Sequence, residues 1–460
     1  MRRTRFALAA GLAAALVVGA LALHGVFGSP SSSSPSPPPA LALGAPAGPA
    51  ITIGSHPVGL SIEYPLLEHD LGGGPCPPPA LVAAIRALGS PTLRIGGDSQ
   101  DETAPAATAA HSGLSELPAD FWTQVGCLER ETGIPVVVGL NLAWGKPSWA
   151  AALAAGARAV IPRSRLSFEL GNEPDTYGVP VPWWNGRALV DSRMPWRIYV
   201  SRARALEAAL GPGASIEGPD FASGRWSAKV PALARTLHLQ SIDAHYYPLE
   251  GCAGRDDASI AALLSRQIQT KLDERVGLAR DARAAGLPAV ISEANSVSCG
   301  GVRGVSDQPA AAVWAVRMIV TALRDGFASV RFHSSGGPYD PFVVKASTLT
   351  ARPLYTGLRA AAGLLVPGGV LRAIPGARAL DGVAITNPDG TQTVLLSNYG
   401  ARARWVALRT AKQARLLSVL PHAPVLASVS VAPDGTRLRA KLPPDSFDAI
   451  TIEAQSGSST

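Results

Sequence analysis

A (β/α)8 barrel followed by an antiparallel β-sandwich is the fold class that this sequence predicts, on three observations. Eight short apolar runs recur from residue 59, each followed by a loop and most by a helical stretch, the alternation from which parallel barrels are built. Several of these runs carry little polar alternation, as strands buried on both faces do. After Leu365 the texture changes to short alternating runs separated by turns such as Asn387-Pro-Asp-Gly390 and Ala432-Pro-Asp-Gly435, which reads as antiparallel sheet. At 460 residues and 47% hydrophobic, the chain can build one large domain and a small one. An open doubly wound sheet is the alternative. It would want a Gly-rich phosphate loop after its first strand, and Leu71-Gly-Gly-Gly-Pro75 lacks the GxGxxG spacing.

The elements follow in order. Met1-Arg-Arg-Thr-Arg5 is a basic start ahead of the apolar run from Phe6 to Leu23, so residues 1–28 read as a signal peptide, with Ala20-Leu-Ala22 as a cleavage site, or as an uncleaved signal anchor. Residues 29–50 are a Pro/Ser-rich linker, low in complexity from Ser29 to Pro39 and stiffened by proline. The protein is therefore expected to be exported: secreted, periplasmic, or held at a membrane by an N-terminal tether. The barrel is assigned to 51–365. Its strands are expected at Gly59–Tyr64, Thr92–Gly97, Pro135–Asn141, Arg165–Glu173, Ser215–Phe221, Ser241–Pro248, Ala289–Ser296 and Ser329–Ser335. Asp256–Ala285 carries a long helical pattern with a break expected near Gly277. Pro309–Phe327 is a second helix, with Gly326 where it would stop. The sandwich is assigned to 366–456, with strands at Gly382–Thr386, Thr391–Asn398, Arg404–Leu408, Ala414–Leu420, Ala427–Val431, Arg437–Leu442 and Ala449–Glu453; Ile51–Ile53 is expected to join it.

Charge and cysteine content exclude some functions. The net charge of +7 comes from 41 basic and 34 acidic residues, a modest excess in an Arg-, Ala- and Gly-rich chain. With no basic repeat or RNA-binding motif, no nucleic-acid partner is expected. Cys76, Cys127, Cys252 and Cys299 have no metal-site spacing. Outside the cytoplasm they are free to pair. Cys252 and Cys299 follow strand ends on one face and are the favoured pair; the alternative is four free thiols. Neither metal nor cofactor is expected, and no protein partner is implied.

The predicted strand ends collect Glu63, Arg94, Asp98, Asn141, Asn172, Glu173, His245, Tyr246, Tyr247, Glu293, Asn295 and His333, with Tyr339 in the loop beyond. Strand ends are where parallel barrels hold their catalytic groups. A ring of carboxylates, amides and aromatics suits a hydroxyl-rich ligand. Glu173, between Asn172 and Pro174, and Glu293, ending Ala289-Val-Ile-Ser-Glu293, suit retaining glycoside hydrolysis. One carboxyl protonates the leaving oxygen while the other attacks the anomeric carbon, which requires them about 5–5.5 Å apart. Other readings stand beside this one. Glu63 and Asp98 would pair with Arg94, His245 would be a structural residue orienting its neighbours, and Trp183-Trp184 would line a leaving-group subsite or pack in a loop.

On ELGNEPD at 169–175, LRIGGDS at 93–99, AHYYP at 244–248 and SEANSVSCGG at 292–301, the chain resembles the clan A glycoside hydrolases, and within them glycoside hydrolase family 79, the β-glucuronidases and heparanase, over about residues 50–455. The resemblance implies Glu173 as general acid/base and Glu293 as nucleophile. It implies Asn172 on the sugar 2-hydroxyl, Tyr247 orienting the nucleophile, and Glu63 and Asp98 on ring hydroxyls. Tyr339 and the backbone N–H groups near Gly300 and Gly301 would hold a glucuronate carboxylate. The family often has an aromatic residue and glycines after the nucleophile; here Ser298 and Cys299 begin that stretch. The substrate implied is a carbohydrate containing glucuronic acid, cleaved from its terminus. Another clan A enzyme is the alternative, endo-acting and heparanase-like or xylosidase-like. Arg255, Arg303 and Lys345 near the mouth leave an endo mode open. A non-catalytic cell-surface glycan-binding protein is the reading from a different class, and it has no need of both glutamates.

Overall fold

The computed structural model describes residues 40–105, 114–178, 193–252, 257–375, 380–423 and 427–452. The expected signal, Trp183, Trp184 and Arg255 lie outside them. Eight parallel strands form the barrel: β1 (Val58–Ile62), β2 (Thr92–Ile95), β3 (Val136–Leu140), β4 (Leu166–Leu170), β5 (Ser215–Glu217), β6 (Ile242–Tyr246), β7 (Ala289–Ala294) and β8 (Phe327–Ser334). They are paired in the order β6-β7-β8-β1-β2-β3-β4-β5. The β5–β6 seam is irregular, because Pro219 has no N–H to give to a ladder. Bridges between Ile216 and Leu239 and between Phe221 and Ala244 close it, with His245 N donating to Phe221 O at 2.9 Å. Regular pairing in the fifth strand thus ends at Glu217, short of the expected Phe221. The first ends at Ile62, short of the expected Tyr64, since Tyr64 opens a helix to Leu71 with Pro65 in its first turn, where a missing N–H costs nothing.

Register brings the polar side chains of the barrel to one level. Ser61 stands opposite Arg94 on one side and His333 on the other. A shift in pairing after Ala244 sets His245 opposite Glu293. The remaining strand positions are filled mainly by Val, Ile, Leu and Phe, most of them fully buried.

The expected helix over 256–285 is three helices, Ile260–Leu264, Arg266–Lys271 and Asp273–Ala284. The break falls at Ser265, whose backbone is extended, and Gly277 sits inside the last helix; a single glycine costs a helix only about 1 kcal/mol. The helix Ala310–Asp325 ends at Gly326 (φ 103°), as expected, and is buried on nearly every face. It lies between the barrel and the sandwich, which explains an apolar pattern that runs all round it. Its Arg317 donates to the backbone carbonyls of Leu264 (2.9 Å), Asn398 (2.7 Å) and Ser446 (3.1 Å) and lies 4.4 Å from the Tyr399 ring centroid. Arg317→Leu would orphan three buried acceptors. It is expected to destabilise the protein by about 3–5 kcal/mol, read as a lowered midpoint of thermal unfolding, with Arg317→Lys recovering only part.

The sandwich pairs a seven-stranded sheet with a four-stranded one. Leu396, Val406, Leu438, Leu442 and Ile450 fill the space between them. All seven expected strands are present within a few residues. The strand expected at Ile51–Ile53 is Ala47–Thr52, antiparallel to Val370–Ile374, and this second strand was not expected. Leu41–Ala42 also pairs, with Val406 and Ala407, so the last residues of the segment read as linker belong to sheets. Leu41 and Leu43 pack on the sandwich core and supply the reason. Cys252 and Cys299 are bonded as expected (Cα–Cα 5.5 Å), and Cys76 joins Cys127 (5.3 Å). Among the described residues no helix is long and apolar enough to cross a membrane.

Candidate active site

Arg94 is the hub of the site. It is fully buried on β2, where its neighbours Leu93 and Ile95 hold the strand in the core. Its guanidinium forks onto Glu169 of β4 at 2.5 and 2.6 Å. Its remaining donors reach Ser61 Oγ (2.8 Å), Asn172 Oδ1 (2.8 Å) and Glu293 Oε2 (2.6 Å). A planar, permanently charged fork suits this task better than an ammonium would. One cation therefore orients both the amide and the carboxylate that the sequence singles out, and it pairs with neither Glu63 nor Asp98.

Glu173 stands just past the end of β4 in a left-handed backbone conformation (φ 45°), which costs a non-glycine residue roughly 1–2 kcal/mol. The turn is held by Glu173 N donating to Asp220 O (3.1 Å) and Thr176 N donating to Glu173 O (2.8 Å). Its side chain is 24% exposed, and Oε1 lies 2.8 Å from His245 Nδ1. The same Nδ1 is 3.8 Å from Glu293 Oε1. The facing oxygens of the two glutamates and this nitrogen all lie within 4.8 Å of one another.

The two carboxyl groups have opposite surroundings. Burial would raise the pKa of Glu293, but His333, His245 and Arg94, together with the Tyr247 hydroxyl (2.7 Å), outweigh it and hold the carboxyl well below the usual carboxylate range. Burial also acts on Glu173 and prevails there: the hydrogen bond and charge of His245 oppose it, the nearby charge of Glu293 reinforces it, and the net direction is upward. His245 would be pushed down by burial, yet Glu293, Asp220 and Glu173 raise it well above the ordinary imidazole value. The Glu173–His245 pair thus retains a proton that Glu293 lacks. Pairs of acids driven apart in this way have divided the acid and base roles.

The other expected residues divide into those that face the cavity openly and those engaged by protein. Asn172 Nδ2 donates to Asp98 Oδ1 (3.0 Å), and Asp98 lines the cavity. Glu63 also lines it, but its carboxylate already accepts from Asp98 N (3.1 Å), Ser99 N (2.9 Å) and Ser99 Oγ and lies 3.2 Å from His333 Nε2. A carboxylate has about four acceptor positions, so Glu63 acts foremost as a brace for the Asp98 loop. Gly97 permits this: a Cβ there would lie 2.4 Å from Glu63 Oε1. Tyr339 is buried, with its hydroxyl 3.0 Å from Ser335 Oγ. Gly300 and Gly301 border the cavity in left-handed conformations (φ 83° and 87°), but Gly301 N–H donates to Ser298 O at 3.3 Å. The two loops are locked together, since a Cβ on Gly337 would lie 2.0 Å from Gly300 O.

The cavity measures about 1130 Å³, and Lys271 and Arg275, which the sequence reading did not single out, also line it. Arg303 and Lys345 are exposed and are not in its wall. Glu173, His245 and Glu293 are the one group of described residues whose donors converge as metal ligands would. Their chemistry does not favour a metal: Nδ1 of His245 is engaged with Glu173, and Glu293 already holds a guanidinium and a phenol.

No family model matches the chain, and no curated protein matches it either. Solved structures do. A 4-O-α-L-rhamnosyl-β-D-glucuronidase from Fusarium oxysporum matches at TM-score 0.69 and 19% identity, over 90% of this chain and 100% of its own. A GH51 arabinofuranosidase from Xanthomonas axonopodis pv. citri matches at TM-score 0.64 and 15% identity, over 90% and 99%. The catalytic domain of GH30 xylanase C from Talaromyces cellulolyticus matches at TM-score 0.56 and 12% identity, over 90% and 99%. At these identities the likeness establishes the fold, and that fold is the one used by TIM-barrel glycosidases.

Proposed function

We propose that the protein is a retaining, exo-acting β-glucuronidase that releases terminal β-linked glucuronic acid by double displacement. The observation that carries the reading is the closeness of Glu173 and Glu293, with facing oxygens within 4.8 Å, in surroundings that raise the pKa of the first and lower that of the second. Retaining glycosidases need carboxyl groups about 5–5.5 Å apart, against roughly 6.5–9.5 Å for inverting ones. Glu293 attacks the anomeric carbon as Glu173 protonates the departing oxygen. Glu173 then takes a proton from the water that releases the sugar. Tyr247 and Arg94 aim the nucleophile, and Asn172 meets the 2-hydroxyl.

The choice of glucuronate rests on Tyr339 and the Gly300–Gly301 loop as the carboxylate end, with Asp98 on a ring hydroxyl. The barrel likeness to an enzyme described as a glucuronidase supports it. The locked loops after β7 and β8 wall off the sugar end, which favours exo action. An exported protein, secreted or tethered, would meet such substrates outside the cell.

Aryl β-glucuronide, β-glucoside and β-xyloside, assayed side by side, test the reading. The glucuronide is expected to lead in kcat/KM by about 100-fold. Equal or better turnover of the glucoside would overturn the choice of sugar and favour another clan A activity. No turnover of any would favour a glycan-binding protein.

A further inference from the structure

We propose that the leaving-group side of the cavity is an anion subsite, in which Lys271 and Arg275 receive a carboxylate or sulfate carried by the leaving group. The inference rests on the roles given above to Glu173 and Glu293, because those roles define which side the leaving group occupies. Asp98, His333 and Tyr339 reach the cavity from β2 and β8. Glu173 comes from beyond β4, across the barrel from β8, and the loops after β5 and β6 follow it in the ring of strands, the second of them also joined to the Gly300–Gly301 loop by the Leu249–Val297 bridge and the Cys252–Cys299 bond. Arg275 is fixed to that wall: Nε donates to His245 O (3.2 Å) and a terminal nitrogen donates to Ala222 O (2.6 Å). Lys271 Nζ donates to Pro248 O (2.7 Å). Both side chains line the cavity and are partly buried.

Neither cation forms an ion pair with a carboxylate among the described residues. Among the described residues their acceptors are backbone carbonyls, which leave two ammonium donors and part of the guanidinium unused. The carbonyl bonds hold both heads in place, so little side-chain entropy remains to be lost when an anion arrives. Backbone-anchored cations beside an acid/base are suited to a leaving group that carries its own negative charge. Glu250 and Asp257 share this side of the cavity, so the discrimination is modest rather than absolute.

The test uses the full chain and aryl glycosides matched in leaving-group acidity: a para CH₂COO⁻ phenol, its CH₂CONH₂ amide, and a third carrying a benzylic sulfate. Each is made as glucuronide, glucoside and xyloside. Whichever sugar is turned over, the charged forms are expected to exceed the amide in kcat/KM by about tenfold, mainly through KM. The carboxylate and sulfate arms identify the preferred anion. The preference is expected to shrink at high salt and to approach one in Lys271→Gln. Arg275→Gln should act in the same direction, but it also loosens the strand-end carbonyls, so Lys271→Gln and the salt series bear the test. Calorimetric dissociation constants for the same pairs report the ratio without catalysis. Turnover of the wrong sugar would therefore sink the glucuronidase reading without touching this one, whereas turnover of none would overturn both, since no leaving-group side would then exist. A charged-to-amide ratio of one in the unmodified protein would overturn the subsite. So would a Lys271→Gln variant that loses discrimination between glucuronide and glucoside while keeping the charged-to-amide ratio, since the cations would then lie under the sugar's own carboxylate.

Discussion

Glu293→Gly is expected to lower kcat by at least about four orders of magnitude on every aryl glycoside the protein hydrolyses, and added azide is expected to restore turnover with an α-linked glycosyl azide as product. The expectation follows from the surroundings of the residue. Arg94 and Tyr247 hold one carboxylate oxygen each, at 2.6 and 2.7 Å, and the cations about it keep the group ionised throughout the neutral range. The neighbours do not take its place: His245 turns toward Glu173, and Glu63 is occupied by the Asp98 loop. Removing the side chain leaves a small space next to a guanidinium and two imidazoles, well suited to an azide anion. Azide entering there attacks from the side that the carboxylate used and inverts the anomeric centre once. Product stereochemistry by NMR decides the point. A β-azide, or unimpaired hydrolysis, would remove Glu293 from the nucleophilic role.

Much of the site was legible because its acids sit at strand ends beside residues that end strands. Glu173 stands between Asn172 and Pro174, and Glu293 closes a run of buried apolar residues. Such positions declare themselves in one dimension. Arg94 is named there by position only, and its role and that of Glu169 stay hidden, because they are a property of register: only the pairing of β1 with β2 and β8 brings Ser61, Arg94 and His333 to one level. The trace available in the sequence was an arginine inside Thr92-Leu-Arg-Ile95 and a glutamate inside Leu166-Ser-Phe-Glu-Leu170, charges in runs too apolar to expose them. A buried charge needs a partner, and here each supplies the other. Glu63 illustrates the converse. Its position was legible, but its acceptors are met by backbone N–H groups of a loop that closes over it only in three dimensions. The helical pattern over 256–285 hid its break in the same way. Serine is tolerated within a helix, and the break becomes visible only in the extended backbone of Ser265.

Glu173→Ala is expected to lower kcat/KM by about 10² to 10⁴ for glycosides with poor leaving groups, to spare those with strongly acidic leaving groups, and to abolish the alkaline limb of the pH profile. The sign follows from the pKa directions. Catalysis needs Glu173 protonated and Glu293 ionised. Burial raises Glu173, so activity is full below its pKa and is lost as pH rises through that elevated value. Glu293 is depressed, so its ionised form survives to acid pH, and activity falls only as pH drops through a value below the usual carboxylate range. The unmodified protein should therefore keep its activity toward acid and lose it toward alkali, with the alkaline limb set by the Glu173–His245 pair. Without the carboxyl, departure of a dinitrophenolate needs no proton and the sugar still transfers to Glu293. Release by water then lacks its base and becomes limiting, and azide should accelerate it. Because azide now enters from the side that the leaving group vacated, after one inversion by Glu293, the product is the β-azide. The two variants thus yield opposite anomers from one reagent, an outcome that a structural role for either glutamate would not produce. An alkaline limb that persists in Glu173→Ala would assign the titrating proton to another group in the cavity, and Glu102, raised to about 7 by burial and by the charges of Glu63 and Asp101, would be the next residue to replace.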